Sequence, residues 1–124
     1  MSIPYRDEGS GTVSGVTGIA THTVATWDVD ISGAKAGIVR ADVNGINAMS
    51  GEALNVTVFI GYKVFGGVLT INSSVATVNH SDYAGLSAGA SVSGSSLVIS
   101  VTMTIAGQTL DDVDVNFYVS ATEP

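Results

Sequence analysis

The stretch ALNVTVFIGYKVFGGVLTI, residues 53–71, decides the fold of this chain. From Leu54 to Val64 every second residue is apolar, and the positions between them are mostly polar or small. Strict alternation with β-branched and aromatic residues is typical of a strand that buries one face. The pair Gly66-Gly67 then interrupts the run, and glycine adopts the positive φ of a tight turn without steric cost. The stretch therefore predicts an antiparallel hairpin.

The same alternation recurs on both sides of this hairpin, in segments near residues 21–31, 38–44, 75–80, 86–92, 97–105 and 113–121. No segment has the apolar period of a helix. About eight strands at intervals of roughly 8–12 residues predict an all-β fold, a single antiparallel β-sandwich or jelly roll. The cluster Asn72-Ser73-Ser74 indicates a turn, and Asn44-Gly45 indicates either a turn or a bulge inside a continuing strand.

The first 18 residues have a different composition from the rest, because four glycines alternate with Ser and Thr there: Gly9, Gly11, Gly15 and Gly18. This composition predicts a flexible N-terminal arm, residues 1–18, attached to a β-sandwich domain, residues 19–124. Two interpretations of the arm remain open. It is either a flexible leader or a segment that orders against a partner through the apolar tip Ile3, Pro4 and Tyr5.

Composition limits the classes of partner. The 124 residues fit one domain, and the net charge is −7, from 11 acidic and 4 basic residues. Nucleic acids and anionic membranes require clustered Lys and Arg, so neither is an expected partner. The absence of cysteine excludes disulfides and Cys zinc sites. No apolar run approaches the length of a membrane helix, and the N-terminus lacks the apolar core of a secretory signal.

Several apolar side chains fall on strand positions that should face solvent: Ile38, Phe59, Phe65, Val98 and Tyr118. Single exposed apolar residues are normal, but five in so small a sheet indicate a second buried surface. Long strands also leave edges that need a cover. Both features predict self-association, and a closed ring is the usual solution.

Residues that could carry out chemistry are sparse. His22 and His80 are far apart in sequence and belong to no metal-binding pattern. The acidic cluster Asp111-Asp112-Val113-Asp114 lacks the spacing of a calcium loop. Serine is abundant, but no sequence pattern pairs one with a base. We therefore expect no enzyme activity, no catalytic residue, no metal site and no cofactor.

From about His22 to Thr122 the chain resembles a small β-sandwich domain of bacteriophage virion proteins, found at tail-fibre tips and in stand-alone capsid or fibre proteins. Four segments carry the resemblance: Thr26-Trp27, residues 61–70, His80-Ser81-Asp82 and residues 92–102. Members of this group usually have an aromatic residue, often Trp, shortly after the His-x-Asp segment, where this chain has only Tyr83. The resemblance implies a trimer on a virion, and it brings no catalytic residues.

Within that group we expect a trimeric capsid decoration (cement) protein. It would bind the major capsid protein on the capsid exterior and stabilise the head, with its arm reaching across neighbouring subunits. The residues expected to bind partners are Ile3, Pro4, Tyr5, Phe59, Phe65 and Tyr118.

The alternative is a receptor-binding knob of a tail fibre that recognises host surface glycans. In that case the loops at residues 81–85 and 106–112 would present Tyr83, Asp111 and Asp112 to the sugar. A third interpretation is a structural subunit of a tail or collar.

Overall fold

The computed structural model describes residues 3–124, and within them it contains eight strands and no helix. The strands are β1 (Ile3–Thr17), β2 (Ala20–Asp28), β3 (Lys35–Ile46), β4 (Ala53–Phe65), β5 (Val68–Ser81), β6 (Leu86–Ser93), β7 (Ser96–Met103) and β8 (Thr109–Glu123). Every paired strand runs antiparallel to its neighbour. This confirms the prediction of an all-β antiparallel fold. The narrower description, β-sandwich or jelly roll, stays a prediction.

The strands form two sheets around one apolar core. The larger sheet has the order β1-β8-β3-β4-β5, and the smaller one has the order β2-β7-β6. Period-two alternation makes both sheets two-sided, because it sends one set of side chains inward and the other outward. From β4 the core receives Leu54, Val56, Val58, Ile60, Tyr62 and Val64, and from β7 Leu97, Ile99, Val101 and Met103.

The hairpin predicted from residues 53–71 is confirmed. Gly66 and Gly67 have φ of 62° and 75°, and they connect β4 directly to β5. Phe65 lies opposite Val68 across the turn, and Val64 lies opposite Leu69. Both glycines therefore have the positive φ that a two-residue hairpin turn requires.

Two predicted turns lie inside strands. The cluster Asn72-Ser73-Ser74 does not end a strand, because β5 continues to Ser81 and the pairing with β4 shifts register there. A β-bulge accommodates the additional residue, Asn72, and the strand pairing continues on both sides of it. At Asn44-Gly45 the pairing is regular on both flanks, with Asn44 opposite Asn55 and Gly45 opposite Leu54.

The N-terminal segment also differs from its prediction. Residues 1 and 2 of the expected flexible arm lie outside the described residues, whereas residues 3–17 form β1 and pair with β8 along their length. Two of its four glycines, Gly9 and Gly11, serve close packing, whereas Gly15 and Gly18 have positive φ and meet nothing within 4 Å. A Cβ at Gly9 would overlap the ring of Phe117, and one at Gly11 would overlap the carbonyl oxygen of Val24. This segment is thus an edge strand of the larger sheet.

Candidate interaction surface on the larger sheet

The side of the five-stranded sheet that points away from the core is called the outer face here. Strand pairing aligns its side chains in rows that cross the sheet. One of these, the central row, consists of Glu8, Tyr118, Arg40, Phe59 and Val75 on five successive strands. Residues directly opposite each other in such a row have Cβ atoms about 5 Å apart, so their side chains can touch.

An apolar cluster lies on and beside the central row. Phe59 and Tyr118 flank Arg40 and are 46% and 49% exposed, and Val75 beside Phe59 is 58% exposed. Ile38, two residues before Arg40 on β3, lies diagonal to both aromatic residues and is 57% exposed. We call Ile38, Phe59, Val75 and Tyr118 the central patch. A contiguous apolar patch of this kind usually marks an interaction site.

Charge on the outer face is divided between its two ends. Three of the four basic residues of the chain lie in the central row or toward the Gly66-Gly67 turn, and they are Arg6, Arg40 and Lys63. Beyond the central row, toward the opposite end, lie three aspartates: Asp42, Asp112 and Asp114. We call the half of the outer face on the Gly66-Gly67 side of the central row the basic end, and the half on the other side the acidic end. Arg40 and Asp42 meet at the boundary, where Nε of Arg40 donates to Oδ1 of Asp42 at 3.2 Å.

The basic end also contains a groove of about 460 Å³. It is lined by Ala34, Lys35, Ala36, Lys63, Val64, Phe65, Thr122 and Pro124. Phe65 in this lining is 74% exposed, because its position at the end of β4 points outward and no strand covers it. The groove extends the outer face past the last residues of β8.

The fourth basic residue, Lys35, is buried at the same end of the molecule. Its Nζ donates to the carbonyl oxygen of Asp30 at 3.0 Å and lies 3.6 Å from Oε1 of Glu123 and 3.8 Å from Oδ2 of Asp30. The Tyr5 ring centroid is 5.7 Å from the same nitrogen. This cluster holds the ends of β1, β3 and β8 together, and a buried ammonium requires such partners.

The core beside this cluster contains a buried phenol without a hydrogen-bond partner. The Tyr62 hydroxyl contacts no donor or acceptor in the described chain. Burial, together with the smaller effects of the nearby Tyr5, Asp7 and Glu123, raises the pKa of Tyr62 to about 12. The phenol therefore stays protonated at neutral pH, and its ring packs edge-on against Trp27 with centroids 5.5 Å apart.

The structure brings together some of the six residues expected to bind partners. Phe59 and Tyr118 share the central row, and Phe65 lies on the same face at the turn. Ile3 and Pro4 are exposed at the corner where β1 meets the end of β8. Tyr5 is half-buried against the core and contacts Lys35, so it lies apart from the outer face.

The loop residues named for sugar binding occupy different environments. Tyr83 is not presented to solvent, because it is 5% exposed and its hydroxyl donates to the carbonyl oxygen of Thr109 at 3.0 Å. Asp111 accepts a hydrogen bond from the backbone N–H of Ala48. Asp112 is exposed and accepts one from the hydroxyl of Ser14. These three side chains do not form one sugar-binding surface.

Sequence reasoning missed two members of the surface. The sequence predicts a separate short strand for Val75, and only its pairing opposite Phe59 shows that it belongs to the central patch. In the sequence Arg40 is one of four basic residues that are far apart, whereas strand register aligns it with Phe59 and Tyr118. Neither position has a local signal, because register between distant strands is not readable from spacing within one strand.

Among residues 3–124, no group of three or more His, Cys, Asp or Glu side chains is arranged to hold a metal ion. In the same part of the chain, no helix is long and apolar enough to cross a bilayer.

No protein-family model matches the sequence, and no curated protein matches it significantly. Among solved structures, the chain is similar to the tailspike protein of Acinetobacter baumannii phage AM24, with a TM-score of 0.51 and 9% identity. The similarity covers 97% of this chain and 26% of the tailspike chain. At this identity the likeness shows a shared fold.

Proposed function

We propose that this protein is a non-enzymatic structural protein of a bacteriophage virion. The observation that carries the proposal is the shared fold with part of a phage tailspike, which extends over 97% of the chain. The resemblance of residues 22–122 to phage virion domains leads independently to the same class. An exposed apolar patch beside an array of charges supports a protein that works by binding other proteins.

Within the virion we propose a trimeric decoration protein on the capsid exterior, bound to the major capsid protein and stabilising the head. The sheet has two open edges, β1 and β5, and unpaired edges are surfaces through which neighbouring chains associate. The exposed Ile3, Pro4 and Phe65 lie at the basic end, next to the groove, and would contact the capsid. In this proposal the N-terminal segment contacts the neighbouring chain as the edge strand β1, and not as a flexible arm.

A tail-fibre knob that binds host glycans is the second candidate, and the tailspike likeness favours it because a tailspike is a tail component. The proposed sugar contacts must change, since Tyr83 is buried. Tyr118 and Phe59 are exposed aromatic residues that could stack on a sugar ring instead.

Gold-labelled antibodies against the purified protein, applied to intact virions that contain it, separate these roles. Label over the whole head surface supports the decoration protein, and label confined to the tail tip supports the knob. Virions without label at either place contradict the proposed function. As a second measurement, heads stripped of the protein should rupture at a lower temperature than heads to which it has been added back.

A further inference from the structure

We propose that the outer face of the five-stranded sheet docks against the same face of a second copy of this chain, about a two-fold axis that lies in the interface and crosses the strands near Arg40 and Phe59. This contact goes beyond the proposed function. It is a property of the chain in solution and does not depend on its place in a virion.

The division of charge determines the direction of the axis. A two-fold axis across the strands reverses the strand direction of the second copy, so the basic end of each copy lies over the acidic end of the other. Arg6 on β1 and Lys63 on β4 then lie on either side of β8 of the second copy, which carries Asp112 and Asp114. An axis along the strands would instead place like charges together, which opposes association. One surface therefore carries both halves of a complementary pair, as an isologous contact requires.

The apolar residues determine where the axis passes. Each residue at the axis faces its own counterpart, so an axis at the central row brings Phe59 against Phe59 and Tyr118 against Tyr118. Glu8 meets its own counterpart at the β1 edge, where Arg6 lies two residues away on the same face. This arrangement covers the central patch, which is otherwise about half exposed. Arg40 stays neutralised at the axis, because it already pairs with Asp42 of its own chain. Aromatic residues and arginine at the centre, with charges toward the rim, are typical of stable interfaces.

The outer face also has a suitable size. Strands β3 and β4 contain 12 and 13 residues, which corresponds to a length of about 40 Å. Five strands spaced at about 4.8 Å give a width of roughly 20 Å. The product is on the order of 800 Å² per copy, the area that one partner contributes to a standard interface.

A two-fold contact is compatible with the proposed trimer. In a dihedral assembly, each copy uses one surface within its ring and a second, isologous surface between rings. A dimer and a hexamer are thus both expected products, depending on whether the ring forms.

The first experiment measures the mass of the full chain in solution by light scattering after size exclusion, and its dissociation constant by sedimentation. Wild type should form a dimer or hexamer that weakens with added salt. R6E/K63E makes the outer face acidic at both ends, and D112K/D114K makes it basic at both ends. Each variant should associate at least tenfold more weakly, and an equimolar mixture of the two should restore the complex. T23E/S91E and T23K/S91K, on exposed positions of the smaller sheet, are the matched controls and should behave as wild type.

The second experiment is independent of charge. The chain lacks cysteine, so F59C introduces one thiol at the proposed axis and T23C introduces one on the smaller sheet. Under mild oxidation at low protein concentration, F59C should form a disulfide-linked dimer at least tenfold faster than T23C.

Several outcomes would overturn the two-fold contact. They are a monomer at every concentration, an oligomer that neither charge variant weakens, and equal crosslinking of F59C and T23C. A trimer that both charge variants leave intact removes this contact but leaves the proposed function standing. Conversely, unlabelled virions remove the proposed function and leave the dimer untouched.

Discussion

The indole N–H of Trp27 donates to Oδ2 of Asp7 at 2.8 Å, and this bond joins β2 of the smaller sheet to β1 of the larger one. Trp27 is 6% exposed, so water cannot easily replace the acceptor. We expect Asp7→Ala to lower the free energy of unfolding by about 1–3 kcal/mol, because a buried donor loses its partner.

Urea unfolding followed by fluorescence reports this change directly, since Trp27 is the single tryptophan. Asp7→Asn keeps an acceptor oxygen and should recover most of the loss. Glu8→Ala, on the outer face next to it, is the control and should stay within about 0.5 kcal/mol of wild type. Equal stability of Asp7→Ala and Glu8→Ala would show that the bond is not formed.

The glycines of β1 give a prediction about packing. Gly11→Ala places a methyl group onto the carbonyl oxygen of Val24, and backbone cannot move aside as a side chain can. We expect a loss of roughly 1–3 kcal/mol or more. Gly89→Ala is the matched control, because a Cβ there meets nothing within 4 Å and its φ is not positive. If thermal unfolding is the same for both variants, β1 does not pack as described.

The phenols of Tyr62 and Tyr83 should respond in opposite ways to removal of the hydroxyl. Tyr62→Phe removes a buried group without a partner, so we expect no loss of stability or a gain of up to about 1 kcal/mol. Tyr83→Phe removes a hydrogen bond to Thr109, and we expect a loss of about 1 kcal/mol. Chemical denaturation of the two variants side by side tests this, and a clear loss in Tyr62→Phe would indicate a partner for its hydroxyl.

Stability should depend on pH through Asp82. The backbone N–H of Ala53 donates to its carboxylate at 2.9 Å and lowers its pKa below 3.8, and the hydrogen bond from His80 lowers it further. A depressed folded pKa means that the stabilisation is present above the unfolded pKa and is lost as pH falls through the folded value.

Asp82→Asn isolates this contribution, because the amide oxygen can still accept from Ala53 but carries no charge. The difference in urea midpoint between wild type and Asp82→Asn should be constant near pH 5 and shrink as pH falls below about 3.8. Other carboxyl groups, such as Asp30, affect both proteins equally. A difference that persists unchanged to pH 2 would contradict the role of Asp82.

Local patterns predicted the interior of the sheets well. The alternation from Leu54 to Val64 and the two glycines after it were sufficient for the hairpin, because a period of two and a positive φ are properties of neighbouring residues. The outward positions of Ile38, Phe59, Phe65 and Tyr118 followed from the same alternation, and all four are exposed. The fifth predicted residue, Val98, is half-buried and lies on β7 of the smaller sheet, so it does not belong to the same face.

The N-terminal strand was not predictable in the same way. Gly9 and Gly11 are typical of flexible segments when only local composition is considered, yet each is required by a neighbour far along the chain, Phe117 and Val24. A bulge at Asn72 likewise resembles a turn in sequence, since the same residue types serve both. The alignment of Arg40 with Phe59 and Tyr118 depends on register between three strands, which no single segment encodes.

The pairing of β1 with β8 sets Ile3 opposite Glu123. The first strand therefore begins beside the end of the last strand, at one corner of the larger sheet. A linker of a few residues could bridge that corner, and the chain could then be reopened at Gly66-Gly67 to give a circular permutant with an unaltered core. A fluorescent tag or purification handle fused to either terminus would emerge from the corner beside Ile3 and Pro4. The loop at residues 47–52, at the far end of the molecule, would stay clear of it.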